Sequence, residues 1–65
     1  MLFRVYLEKK LFMEKVRVVK ANIEGVALKD DSGVTQVIDG VYVAEVEGVA
    51  GYITLHHVQP VARGP

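Results

Sequence analysis

A chain of 65 residues has room for one small domain, and a domain this short buries only about 60% of the surface its unfolded chain exposes, so its core needs a supplement. Having no cysteine, it cannot form disulfides or use a thiolate, which leaves metal binding or self-association as that supplement. Eight Lys+Arg balance eight Asp+Glu, against the basic excess with which proteins commonly hold phosphates.

An apolar content of 51% is more than a monomer of this size needs for its core and predicts a homodimer or a higher homo-oligomer. The apolar runs are short and broken by charge, so no membrane span is expected. MLFRVYLEKK lacks the long apolar stretch of a secretory signal, and a cytoplasmic protein is the expectation.

In chain order, Leu2–Glu8 alternates, with Phe3, Val5 and Leu7 on one face and Arg4, Tyr6 and Glu8 on the other. Leu11–Lys15 is ambiguous between a short strand, a wide turn and one helical turn. Val16–Ala21 is strand-like through its β-branched residues. Asn22–Gly25 reads as a turn and Gly25–Asp30 as a strand with Val26 and Leu28 inward. DDSG (Asp30–Gly33) is the clearest hairpin signal, because Asp and Ser bond their own backbone and Gly33 takes positive φ cheaply. Val34–Asp39 returns, and Gly40 permits a bend. Val41–Glu47 and Tyr52–Val58 form the last hairpin around Gly48–Gly51.

Glycine or a hairpin signal interrupts every window in which a helix could run. The pattern predicts an all-β protein: a small SH3-like or Sm-like antiparallel barrel of five to six strands over residues 1–58, with a flexible tail over 59–65. Its expected core is Phe3, Val5, Leu7, Val26, Leu28, Ile38, Ile53 and Leu55.

Four groups of residues carry chemistry. His56 and His57 are adjacent on a strand and so point to opposite faces, with His57 on the core side beside Ile53 and Leu55. The plain reading is one histidine at the barrel rim and one exposed. The sharper reading has one histidine per chain meeting its mate across a two-fold axis, since imidazole suits nickel, copper and zinc. Arg4, Tyr6, Tyr42 and Tyr52 could stack bases as an RNA-binding face, or pack at a sheet edge or protein interface. The carboxylates are scattered singly apart from Asp30–Asp31, which reads as turn chemistry. With Ser32 as the only serine, and that in a turn, no nucleophile–base pair is evident and an enzyme is not expected.

Taken in succession, Val5–Lys9, Leu11–Val16, Gly25–Gly33, Val43–Gly48 and Tyr52–Leu55 resemble the CooT family, over roughly Met1 to Leu55. The resemblance implies a compact β-barrel homodimer with a non-enzymatic role in nickel handling. Family members are often described as RNA-binding, and some bind nickel through a cysteine after the initiator methionine. Here that position is Leu2, so no ligand transfers residue by residue. The expected candidates for Ni(II) are therefore the amine of Met1, His56 and His57.

Overall fold

The computed structural model describes residues 1–59. Six strands follow one another: β1 (Phe3–Leu7), β2 (Lys10–Ala21), β3 (Gly25–Asp30), β4 (Thr35–Asp39), β5 (Val41–Glu47) and β6 (Tyr52–His57). They form one sheet in the order β4-β3-β2-β1-β6-β5. The all-β expectation of five to six short strands holds, and no helix occurs among the described residues. No helix there is long and apolar enough to cross a membrane. Of the expected tail, residues 60–65 lie outside the described residues.

The expectation that all neighbours run antiparallel is corrected at one place. β1 and β6 pair in parallel, with Arg4 beside Tyr52, Val5 beside Ile53, Tyr6 beside Thr54 and Leu7 beside Leu55. A parallel pair cannot be joined by a tight turn, and here all four other strands intervene. The two ends of the chain thus meet in the middle of the sheet, where local turn signals give no information.

The sheet is curled rather than flat, and β2 does most of the bending. Between Phe3↔Val16 and Tyr6↔Leu11 the β2 side of the ladder holds extra residues, and the β2–β3 ladder shifts again between Val16 and Val18. Each such bulge bends its strand and increases the local twist. Lys15 takes the positive φ of 55° that one bulge requires. Consequently Leu11–Lys15, ambiguous in sequence, is the first half of a 12-residue bent strand. Its irregular alternation reflects the bulges.

Coiling brings the two edge strands together at a corner. β4 and β5 are opposite ends of the strand order, yet only Gly40 separates them in sequence. Gly40 turns there with φ of 73°; its N–H donates to the Glu24 carbonyl and its carbonyl accepts from Val58 N–H, both at 2.8 Å. No ladder joins β4 to β5, so the structure is a partly open barrel.

The core is Val5, Val16, Val26, Leu28, Val41, Ile53 and Leu55, with Phe3, Leu7, Met13, Val19, Ile38 and Val43 packed against it. All eight residues expected in the core are found in one of these two sets, so the register of the alternating strands was correct. The local turns also follow their sequence signals. Asp30 Oδ1 accepts from Ser32 N–H, Ser32 Oγ–H and Val34 N–H, and Gly33 has φ of 94°. Asn22 Oδ1 accepts from Glu24 N–H and Gly25 N–H.

Gly25 is buried where β3 crosses β4 closely. A Cβ there would overlap the Ile38 carbonyl oxygen and stand 2.8 Å from the Asp39 Cα, whereas one at Gly48 would meet open space. Gly25→Ala should therefore cost about 1–3 kcal/mol by overpacking, a fall in Tm of about 4–24 °C for a domain of this size. Gly48→Ala should leave Tm nearly unchanged. Equal melting temperatures for the two variants would contradict the close β3–β4 approach.

Candidate functional site

The two-residue turn Glu8–Lys9 joins β1 to β2, with Leu7 paired to Lys10. Glu8, its first residue, has φ of 57°, a conformation in which glycine is the usual residue. Two contacts hold it there. Its N–H donates to the Leu55 carbonyl at 2.8 Å, prolonging the parallel ladder. Its carboxylate then takes the place of the next backbone acceptor, with the His57 N–H donating to Oε2 at 3.2 Å.

That backbone contact puts the carboxylate in the plane of the sheet, at its rim, where side chains from both faces can reach it. Both histidines do. His56 Nδ1 lies 2.9 Å from Glu8 Oε1 and His57 Nδ1 lies 3.3 Å from Glu8 Oε2. Adjacency on a strand points the two side chains to opposite faces, yet both rings reach one partner because Glu8 sits just beyond the last β1–β6 pair, Leu7 with Leu55.

Two expectations are corrected here. His57 was placed on the core side by its parity with Ile53 and Leu55, but it lies past the end of the core and is exposed, its side chain 55% accessible. Glu8, read as one of several isolated carboxylates, is the hub of the site. No sequence signal marks it: His57 is 49 residues away and His56 one residue nearer, and only the β1–β6 pairing brings them together.

The electrostatics follow from the geometry. The His57 backbone N–H, partly opposed by desolvation and helped by the His57 ring and the charges of both imidazoles, holds the Glu8 carboxyl below its ordinary value of 4.5. An ionised carboxylate only accepts hydrogen bonds, so each ring presents an Nδ1–H to it. In the neutral ring the lone pair is then on Nε2. Tyr42 lies against His56, ring centroids 6.2 Å apart and planes 30° apart. Leu7, Lys9 and Lys10 line the groove beside the histidines.

Imidazoles tied through one nitrogen to a carboxylate and free at the other are the arrangement seen when histidine binds a metal. Among the described residues, no group of three or more His, Cys, Asp or Glu side chains is placed to hold a metal ion. One chain therefore offers two nitrogen donors and an orienting carboxylate, short of a full coordination shell. Met1 stands before the other end of β1, seven residues from Glu8, so within one chain its amine is at the opposite end of the strand from the histidines. Met1 and Leu2 are both exposed.

The residues considered for stacking bases fall into two places. Tyr6 and Tyr52 meet on the outer face of β1 and β6, ring centroids 6.2 Å apart and planes at 89°, with Arg4 beside Tyr52 in the ladder. Tyr42 is on the β5 edge, opposite His56. Glu45 and Glu47 pair with Thr54 and Tyr52. The charge of Glu45 above all, with desolvation, the charge of Glu47 and a hydrogen bond to Glu45, raises the Tyr52 hydroxyl above its ordinary 10.0.

No family model matches the sequence, and no curated protein matches it. Among solved structures the chain is similar to one described as "putative CooT" from Carboxydothermus hydrogenoformans. The TM-score is 0.79 at 22% identity, over 91% of this chain and 100% of that one. The CooT-type resemblance read from the sequence therefore holds at the level of fold.

Because the Glu8 carboxyl is held below 4.5, its contribution to stability is complete above that value and is lost as pH falls through its lower folded value. Glu8→Gln removes that titration. Urea unfolding at about pH 7 and about pH 3 should then show a smaller acid loss for Glu8→Gln than for the parent. An equal loss in both proteins would contradict the clamp on Glu8.

Proposed function

We propose that this chain is a cytoplasmic, non-enzymatic binding protein of the CooT type that takes a transition-metal ion, nickel first among them, between two copies of itself. The ligands are His56 and His57 through Nε2, and Glu8 orients them. The single observation that carries the reading is the convergence of both Nδ1 atoms on one carboxylate. It would leave Nε2 of each ring as a donor of a type suited to nickel, copper and zinc.

The second copy is required by the donor count, since one chain stops short of a coordination shell. It also suits the surface, on which Leu11, Phe12, Ile23, Val37, Val49 and Val58 are among the exposed large apolar residues. Met1 would join the site only as a donor from the partner copy. A non-enzymatic role accords with Ser32, whose hydroxyl donates to Asp30 Oδ1 at 2.8 Å within a turn and so serves local structure.

RNA binding through Arg4, Tyr6, Tyr42 and Tyr52 is the weaker reading. The perpendicular Tyr6–Tyr52 pair favours it, but Tyr42 is set apart and Glu45 and Glu47 would repel a phosphate backbone.

Native mass spectrometry of the untagged protein, metal-free and then titrated with Ni(II) and with Zn(II), tests the proposal. The expected species is one metal ion on a dimer, lost in His56→Ala and in His57→Ala. Glu8→Gln should weaken binding about 10- to 100-fold, the usual cost of losing an orienting carboxylate. A dimer that stays metal-free, or binding indifferent to both histidines, would overturn it.

A further inference from the structure

The outer face of the sheet carries a second constellation that the metal reading does not use. Across β5, β6 and β1 it forms two rows, Glu45–Thr54–Tyr6 and Glu47–Tyr52–Arg4. Tyr6, Tyr52, Thr54, Glu45, Arg4 and Ala50 line a shallow groove there, with Glu8 at one end.

We propose that this groove binds an arginine side chain of a protein partner. The two tyrosine rings stand at 89° and form two walls of a corner, against which a cation is drawn by the negative faces of the rings. Among the described residues, the only carboxylate in an ion pair is Glu8, with the two histidines. Glu45, which lines the groove, is therefore in no ion pair, and the charges of Glu45 first and then Glu47 act on the Tyr52 hydroxyl.

Charge complementarity selects the occupant. Glu45 lines the groove and Glu47 is next to Tyr52 in the ladder, so two carboxylates outweigh Arg4 there, repel phosphate and attract a cation. A planar guanidinium can lie flat on one tyrosine and give a forked pair of hydrogen bonds to Glu45, which a lysine ammonium cannot do. An exposed groove suits a side chain presented by a partner's surface, where one such contact adds modestly to a larger interface.

The test is an NMR titration of the 15N-labelled full chain with Nα-acetyl-arginine amide. Parallel titrations use its neutral citrulline counterpart and a ten-uridine RNA. Arginine should shift the amides of Tyr6, Ala50, Tyr52 and Thr54, while citrulline and the RNA should not. Glu45→Gln, on the exposed edge strand, should weaken arginine binding on the order of fivefold, as should Tyr52→Leu. His56→Ala should leave it unchanged, which separates this groove from the metal site.

Absence of shifts at these four residues would overturn the proposal, as would equal binding of citrulline. Stronger shifts with the RNA would assign the groove to nucleic acid instead. Shifts at the same residues on simple dilution of the protein would show that a second copy covers the face, which would also overturn it.

Discussion

The parallel ladder between β1 and β6 is the interaction on which the rest of the molecule depends. It joins strands at opposite ends of the chain, Arg4 to Tyr52 through Leu7 to Leu55, and makes one sheet of two hairpin systems. Without it β2, β3 and β4 would carry β1 at one edge, while β5 and β6 would remain a separate hairpin, marginal in water. It buries Val5 against Ile53 and Leu55 at the centre of the core. It also sets Glu8 beside His56 and His57, and Tyr6 beside Tyr52. Both candidate sites are products of a single register.

That register is expensive to form and locally strained to complete. Pairing the first strand with the last closes a loop through nearly the whole chain before any contact rewards it, which slows folding. The ladder then ends in a non-glycine residue at φ of 57°. Such conformations persist where surrounding contacts over-determine them, and they concentrate at functional positions. At Glu8 the compensating contacts are its N–H to Leu55 and its carboxylate to the two histidines. A glycine would turn the chain with less strain but could hold neither ring.

What the sequence revealed and what it hid divide along the range of the interactions. The Asp30–Gly33 and Asn22–Gly25 turns were legible because their hydrogen bonds are made within four residues. The core positions of β1, β3 and β6 were legible because regular strands alternate. Alternation misled where strands cease to be regular: bulges in β2 disguised Leu11–Lys15, and the end of β6 carried His57 past the core its parity assigned it to. The parallel pairing had no local mark, and Glu8 could be recognised only once that pairing was known. The buried Val16 and Val41 went unlisted for a related reason, since one lies between the bulges of β2 and the other just after the corner at Gly40. The CooT-type fold was legible from the succession of segments, and the adjacent histidines stood out in the sequence without showing what organises them.

The central claim is that the Glu8 carboxylate fixes both imidazoles with the proton on Nδ1 and the lone pair on Nε2. Long-range 1H–15N correlation spectra of the metal-free protein, at a pH where the rings are neutral, measure this directly. The account predicts the Nδ1–H tautomer for both His56 and His57, reverting to the ordinary Nε2–H preference in Glu8→Gln. Nε2–H tautomers in the parent protein would contradict it, because the carboxylate would then be orienting neither ring.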